Sequence, residues 1–227
     1  MRRGLFFALA VGLVLTGCGR KKHVRLPRPS APSARAPKIE PKIGDTEEGI
    51  ASWYGHPYHG RQAADGEIYD MEKLVAAHRT LPFHTWVRVH NLDTSKTVDV
   101  EIIDRGPFID GRIIDLSHRA AQEVAMIGPG TARVRIEIIE RPPGPLPVPH
   151  FSVQVAAYSS RQTAEQLQRE MASRYGTTQV VPRAGSTTMW RVLVGDESTE
   201  EAAHALAERI RSEGGPKGQA FVVRLDI

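Results

Sequence analysis

The stretch Thr97-Val98-Asp99-Val100-Glu101-Ile102-Ile103-Asp104-Arg105-Gly106-Pro107-Phe108 holds the most informative contrast in this chain of 227 residues. Val98, Val100 and Ile102 share one parity with Asp104, so the two-residue period of a strand carries a carboxylate to the apolar side. Asp104 either pins the turn that follows, because Gly106-Pro107 is typical of turns, or has a chemical role. This stretch alone leaves both interpretations open.

Further short strands are predicted on both sides of this one, at residues 49–54, 74–77, 86–89, 113–116 and 132–139. Alternation is clearest in the last, where Ala132, Val134, Ile136 and Ile138 oppose charged neighbours. One helix is predicted to begin near Ser117. Residues 47–140 therefore read as one unit, a small closed barrel of strands with a helical insertion.

The segment 150–227 has a different order of elements: strand, helix, strand, strand, helix, strand. Ala164, Leu167 and Met171 follow helical spacing, as do Ala203, Leu206 and Ile210 after a capping box at Ser198 and Glu201. This repeat of strand-helix-strand predicts a ferredoxin-like (βαββαβ) unit, in which two helices cover one face of a four-stranded antiparallel sheet. The fold class is thus mainly β, followed by α+β. The proline-rich linker 141–149 should form an extended strut that separates the two units by roughly 25 Å.

The composition of the first 46 residues is typical of a targeting signal followed by a tether. Residues 1–17 combine an arginine pair with a short apolar core, which is typical of a signal peptide and shorter than the roughly 20 residues that span a bilayer. Leu15-Thr16-Gly17-Cys18 matches a lipobox, which predicts lipidation of Cys18, the only cysteine. Residues 18–46 are expected to be a disordered basic linker.

The formal charge of +4 is unevenly distributed. The basic excess lies in the tether, whereas residues 44–141 carry 16 acidic against 11 basic side chains and residues 142–227 carry equal numbers. Neither folded unit is therefore the polycation that binds nucleic acid electrostatically. No nucleic-acid partner is expected, even though a ferredoxin-like sheet also occurs in RNA-binding modules.

Five motifs of the first unit together resemble the rare lipoprotein A family. They are Ile50-Ala51-Ser52-Trp53-Tyr54-Gly55, His59-Gly60-Arg61, Asp65-Gly66-Glu67-Ile68-Tyr69-Asp70, Ala76-Ala77-His78-Arg79-Thr80-Leu81-Pro82-Phe83 and Asp104-Arg105-Gly106-Pro107-Phe108. The resemblance implies a double-psi β-barrel. It also implies lytic transglycosylase activity, in which peptidoglycan glycan strands are cleaved without water and left with 1,6-anhydro-muramic ends.

The functional trio of that family falls on Glu67, His78 and Asp104. A proton must reach the glycosidic oxygen, and a base must take the proton of the attacking 6-hydroxyl; one carboxyl can do both in succession. Asp104 is the preferred acid/base, with Glu67 and His78 orienting substrate, although the sequence leaves open whether Glu67 is the acid. Each of these residues also has an ordinary structural interpretation.

Sugar binding is predicted for further residues of both units. Trp53 or Tyr54 can stack on a sugar ring, although adjacent strand residues point to opposite sides and only one can face a groove. Arg105 is a further candidate. The second unit resembles a SPOR domain through Phe151-Ser152-Val153-Gln154-Val155-Ala156-Ala157-Tyr158 and Trp190-Arg191-Val192-Leu193-Val194-Gly195. The resemblance implies binding of denuded glycan strands, with Gln154, Tyr158 and Trp190 as candidates.

No cofactor and no metal are expected. His56 and His59 lie close in sequence, but without cysteine or a helical frame they read as loop surface. One departure from the family pattern stands at Ala63, where relatives generally carry threonine. It leaves open whether the site is fully active.

These observations support two functions. The leading hypothesis is a lytic transglycosylase, a lyase of the cell wall, targeted to the division septum as an outer-membrane lipoprotein that faces the periplasm. The alternative is a non-catalytic lipoprotein that binds denuded glycan or loosens the wall as expansins do. In both, the partners are peptidoglycan and, through Cys18, a membrane; septal division proteins are further possible partners.

Overall fold

The computed structural model describes residues 41–183, 188–216 and 220–225. The predicted signal peptide, Cys18 and most of the basic tether lie outside these residues. Within the described ranges, no helix combines the length and the apolar character needed to cross a bilayer.

The first part of the described chain is a closed barrel. Its six strands lie in the order β1-β5-β2-β4-β3-β6, and β1–β5 and β2–β4 are parallel pairs. The strands are β1 (Thr46–Tyr54), β2 (Val75–His78), β3 (Trp86–Asn91), β4 (Thr97–Asp104), β5 (Arg112–Ser117) and β6 (Thr131–Glu140). Closure removes the sheet edges, which accounts for the stability of so many short strands. The predicted barrel is confirmed.

The barrel core follows the predicted parity. Val98, Val100 and Ile102 of β4 are buried in it, with Val87 and Val89 of the neighbouring β3. Helix α1 (His118–Glu123) begins where predicted, because the Ser117 hydroxyl accepts a hydrogen bond from the amide of Ala120 at 3.2 Å. The alternation thus directs one side of β4 into the core and ends with Asp104 at the rim.

The second part is a four-stranded antiparallel sheet in the order β10-β7-β9-β8. Its elements are β7 (His150–Tyr158), α2 (Arg161–Tyr175), β8 (Thr178–Arg183), β9 (Met189–Glu197), α3 (Glu200–Ser212) and β10 (Phe221–Leu225). This is the predicted βαββαβ arrangement. The cap of α3 lies one residue later than predicted: Thr199, and not Ser198, accepts from the amide of Ala202 at 3.2 Å.

The two faces of this sheet are both covered. Val153, Val192 and Val194 belong to a core on the helix side. On the other face, Leu193 and Phe221 are also buried, although they are not part of that core. Both helices of this part pack on the first face, so the second face needs another partner.

The barrel is that partner. The ring of Phe221 lies 6.1 Å from the ring of Phe108, edge to face. The amide of Arg224 donates to the carbonyl of Arg79 at 3.0 Å, and Arg105 Nε donates to the carbonyl of Arg224 at 3.2 Å. The barrel and the sheet are parts of the same packed unit.

The predicted separation of roughly 25 Å is therefore wrong. Residues 142–149 contain neither helix nor strand, as expected for a proline-rich segment. Gly144, however, has φ +84°, far from the value near −75° of polyproline II, so the direction of the chain changes there. A proline-rich segment has a fixed rise only where that conformation continues, and one left-handed glycine is enough to let the sheet fold back.

Candidate active site

Asp104 lies at the end of β4 with a side chain only 7% exposed. Its Oδ1 accepts from the amides of Arg105 at 2.8 Å and Ala64 at 3.1 Å. Its Oδ2 accepts from Nη2 of Arg183, in β8, at 2.7 Å. The carboxylate thus does pin the turn, as the structural interpretation predicts, but it uses only one oxygen to do so.

A small pocket of about 20 Å³ opens beside Asp104. Tyr54 lines it and stacks on Tyr69 with the ring centroids 4.2 Å apart. Burial, followed by the negative charge of Asp104, raises the pKa of Tyr54 well above its ordinary value. The neighbouring Trp53 packs against the barrel core instead. The expected opposition of these two aromatic residues is present, and Tyr54 is the one near Asp104.

Glu67 stands on an exposed turn in a cluster of its own. Its carboxylate, that of Asp65 and the ring of His84 place ligand atoms within 4.8 Å of one another. His84 Nδ1 lies 2.8 Å from Glu101 Oε1, a contact that orients the ring. Burial, then the charges of Glu67 and Asp104, raises the pKa of Asp65, although the amide of Glu67 donates to it. These three side chains have the chemistry to hold a cation.

The sequence pattern did not indicate this cluster; the histidines close to each other in sequence are His56 and His59, which are not part of it. His59 Nδ1 instead accepts from the amide of Met71 at 3.2 Å. A backbone signal marks the cluster: His84 has φ +63°, a conformation uncommon outside glycine. That signal is visible only in the folded chain.

His78 is buried, and its ring is directed at other groups. Nδ1 accepts from the amides of Thr80 at 3.2 Å and Leu81 at 3.1 Å. Nε2 lies 3.1 Å from Glu47 Oε2. Because Nδ1 accepts two bonds, the neutral ring carries its proton on Nε2 and donates to Glu47. Burial alone would raise the pKa of Glu47, but the hydrogen bond from His78 and nearby positive charge, including that of Arg79, lower it overall.

The three predicted site residues therefore have separate surroundings. Asp104 lies in the pocket with Tyr54, Glu67 lies with Asp65, and His78 lines a different cavity of about 200 Å³. Asp65 is a link between two of them, since the charges of Glu67 and Asp104 both act on its pKa.

Arg105 is 4% exposed, and its donors are directed into the fold. Nη1 donates to the carbonyl of His78 at 3.2 Å, and Nε donates to that of Arg224. Its guanidinium lies 3.7 Å from the centre of the Phe83 ring. These contacts brace the loop after β2 and attach the last strand of the sheet to the barrel.

The three candidates in the sheet lie on two faces. Gln154 pairs in register with Phe221 and Leu193, on the face that meets the barrel, and within the described residues its Oε1 has no hydrogen-bond donor. Tyr158 and Trp190 pack against the core on the helix side. Arg161 lies 5.1 Å above the Trp190 ring. A single glycan cannot contact all three on one face.

Two cationic residues beside Asp104, Arg183 and Arg191, were not predicted from the sequence. Both lie on the sheet near Asp104, but Arg183 is 79 positions away from it in the chain. No local pattern connects residues so far apart.

Comparison with known families identifies both parts of the chain. Residues 46–136 match the family model described as "Lytic transglycolase", and residues 147–223 match the "SPOR domain" model. The first match contains Glu67, His78 and Asp104.

Individual relatives agree with these matches. The "Endolytic peptidoglycan transglycosylase RlpA" of Vibrio cholerae is 37% identical over 178 residues, which are 75% of this chain and 67% of the relative. The protein of the same name from Campylobacter jejuni is 50% identical over 97 residues, 43% of this chain and 35% of the relative. That from Pseudomonas aeruginosa PAO1 is 51% identical over 92 residues, 40% of this chain and 27% of the relative. Similarity to the last two covers about a third or less of their length.

Proposed function

The chain belongs to the RlpA family of peptidoglycan transglycosylases, and we propose on that basis that it is itself a lytic transglycosylase of glycan strands that lack stem peptides. The products would carry 1,6-anhydro-muramic ends. The observation that carries the proposal is the state of Asp104, a buried carboxylate with one oxygen fixed by two amides and the other directed at a cationic side chain.

This arrangement suits a residue that transfers protons twice. Two amide donors fix the carboxyl group through Oδ1, so Oδ2 is the atom left to give a proton to the glycosidic oxygen and to take one from the 6-hydroxyl. The nucleophile belongs to the substrate, and positioning matters more than the capture of a water molecule. Arg183 must exchange its bond to Oδ2 before that oxygen can act.

Glu67 and His78 are proposed to act through position. Glu67 ends the turn 63–67, whose Ala64 amide holds Asp104, so its exposed carboxylate can meet substrate at the edge of the site. His78 holds the 78–81 turn through two amides. Tyr54 offers a ring beside Asp104 for a sugar, and Trp53, Arg105, Gln154, Tyr158 and Trp190 remain predicted contacts.

We also propose where in the cell the protein is located. Lipidation at Cys18 would anchor the protein in the outer membrane, facing the periplasm, and several acyl chains give a stable anchor where one does not. The SPOR part would bind denuded strands and concentrate the protein at the septum, where division proteins are further partners.

A second function has its own support. Arg183 already occupies Asp104 Oδ2, and the His78 ring faces Glu47 and not Asp104. A protein with these contacts unchanged would bind denuded glycan, or loosen the wall, without cleaving it.

Digestion of purified denuded sacculi separates the two functions. Mass spectrometry of the products from the wild-type protein should show anhydro-muramic ends, and Asp104→Asn should abolish them. Asp99→Asn is the matched control, because Asp99 lies on the same strand but pairs with Arg88 at the surface. If the wild type releases no anhydro product, the binding function is the one that remains. If Asp104→Asn still releases anhydro product, Asp104 is not the residue that transfers the proton.

The glycan preference is tested by pull-down. Sacculi treated with an amidase, which removes stem peptides, should retain more protein than untreated sacculi. Equal retention would contradict the preference for denuded strands.

A further inference from the structure

A crevice of about 420 Å³ lies between the barrel and the sheet, next to Asp104. The barrel contributes the loop from Gln62 to Gly66, which includes the Ala64 amide that bonds Asp104. The sheet contributes Arg183 and Arg191. Two guanidinium groups therefore line the space through which a ligand approaches Asp104.

The strand register explains why the two arginines share this space. Arg183 lies opposite Met189, and Arg191 lies opposite Val181, so the two arginines are diagonal neighbours on the face that meets the barrel. Diagonal positions on one face are within reach of long side chains. Sheet geometry thus brings two positive charges together where only one carboxylate, Asp104, is bonded to either of them in the described part of the chain.

Among the residues that the structure describes, no carboxylate pairs with Arg191. Burial lowers its pKa to about 10, and the positive charges of Arg183 and Arg105 act in the same direction while Asp104 opposes them. Its Nε is buried, and no group in the described ranges accepts a hydrogen bond from it. A buried donor without an acceptor is costly, and an anion in the crevice would satisfy it.

Arg183 has further donors with which to bind an anion beside Asp104. It donates to Asp104 through Nη2, and a guanidinium has five N–H donors in a fixed plane. A carboxylate takes two parallel N–H bonds from such a group. The anion would then lie beside the proton-transfer oxygen, which makes the crevice part of the same site.

The substrate supplies such an anion only in its denuded form. Muramic acid carries a lactyl group whose carboxyl forms an amide with the stem peptide, so removal of the peptide leaves a free carboxylate. We propose that Arg183 and Arg191 bind this lactyl carboxylate next to the bond that is cleaved, and so select strands without stem peptides at the site of cleavage itself. The inference rests on the proposed function and names what that site recognises.

Binding of the lactyl carboxylate would also change the contact between Arg183 and Asp104. When the lactyl carboxylate draws the guanidinium into the crevice, Oδ2 of Asp104 loses its donor and becomes available to the glycosidic oxygen. A strand with stem peptides has a neutral amide at that position, which offers no charge to compete with Asp104, so Arg183 stays on Asp104 and Arg191 gains no anion.

The test compares two forms of the substrate. Denuded strands are compared with the same strands after their lactyl carboxyls have been converted to primary amides with carbodiimide and ammonia. The full-length protein in detergent should cleave native strands about 10- to 100-fold faster, the factor that charge-assisted hydrogen bonds contribute. Arg183→Gln should reduce this ratio to about threefold or less, whatever its effect on the absolute rate.

Arg169→Gln is the control, because Arg169 lies exposed on α2. It should keep the full ratio. Arg183→Lys, which keeps the charge and loses the planar pair of donors, should give an intermediate ratio. Equal rates of the wild type on the two strands, or an unchanged ratio in Arg183→Gln, would overturn the proposal.

A failure of the proposed function is distinguishable from a failure of this inference. If the wild type cleaves neither strand, the function is wrong, and fluorescence anisotropy with labelled native and amidated strands decides the inference. Binding of the native strand should then be at least tenfold tighter, and Arg183→Gln should abolish the difference. Equal affinities would exclude the carboxylate site.

Discussion

His78 provides the sharpest test of the geometry, because its two ring nitrogens have different tasks. Nδ1 accepts from the amides of Thr80 and Leu81, and Nε2 faces Glu47. The Oδ1 of asparagine can occupy the position of Nδ1, whereas the terminal amide of glutamine reaches only the position of Nε2. His78→Asn therefore keeps the acceptor for both amides, while His78→Gln keeps the contact to Glu47.

The structure sets the expected size of the effects. Each amide left without an acceptor costs about 1 to 2 kcal/mol, because the turn is half-buried, and loss of the ring adds about 1 kcal/mol for packing. His78→Ala and His78→Gln should thus lower the free energy of unfolding by about 3 to 5 kcal/mol. The Glu47 side chain is 44% exposed, so loss of its contact in His78→Asn costs about 1 kcal/mol, and with the loss of the ring the total for this variant is about 2 kcal/mol.

Chemical and thermal denaturation measure the difference. With roughly 2 to 4 °C of Tm per kcal/mol for a folded part of this size, His78→Gln should melt about 12 °C below the wild type and His78→Asn about 6 °C below it. If the asparagine variant is as unstable as the glutamine variant, Nδ1 is not the acceptor that holds the turn. The cleavage assay on the folded His78→Asn protein then reports whether the imidazole has a chemical role of its own.

Glu47, Ala63 and Asn91 of the barrel each allow a further test. Because His78 lowers the pKa of Glu47 from its ordinary 4.5, the folded state binds fewer protons there than the unfolded state, and the resulting stability is present above about pH 4.5 and is lost as the pH falls below it. Glu47→Gln should flatten this loss in denaturation curves measured between pH 6 and 3, and an unchanged slope would contradict the assignment. Ala63→Thr adds a hydroxyl beside both the pocket and the crevice, and it should raise the initial rate of cleavage severalfold while changing stability by less than about 1 kcal/mol; a folded variant with an equal or lower rate would refute this. Asn91→Asp keeps the two amide contacts of its side-chain oxygen but replaces the donor to the carbonyl of Val124 with a carboxylate oxygen, so it should cost about 3 kcal/mol in urea denaturation, whereas a cost under 1 kcal/mol would show that this buried bond is dispensable.

Local pattern predicted most of the fold. Short strand-like runs, with a two-residue period clearest in β4 and β6, predicted the six barrel strands, and a spacing of three to four residues predicted α2 and α3, because burial of one side of an element must repeat with its geometry. Element ends were less certain: the cap of α3 is Thr199 and not Ser198, since both neighbours have a hydroxyl and only the folded chain decides which one meets the amide.

The candidate site was predicted less completely. The motif that contains Glu67 also contains Asp65, but His84 becomes their neighbour only when the loops close over the barrel. Arg105 and Gln154 were predicted to contact substrate, and both are buried near or at the contact between barrel and sheet. The proline-rich segment suggested that the barrel and the sheet would not touch, because its composition indicates an extended conformation. The composition does not show that the chain turns at Gly144.

Sequence patterns were enough to predict that the chain forms a barrel followed by a βαββαβ sheet and that Asp104 ends a strand on its apolar side. These are consequences of periodicity, which acts between residues a few positions apart. The hydrogen-bond partners of each Asp104 oxygen depend instead on the folded chain. Oδ1 takes amides from its own neighbourhood and from a loop 40 positions away, and Oδ2 meets Arg183, 79 positions further along the chain. Charges so distant in sequence come together only because buried apolar faces of the barrel and the sheet must cover each other, and that requirement belongs to the whole fold.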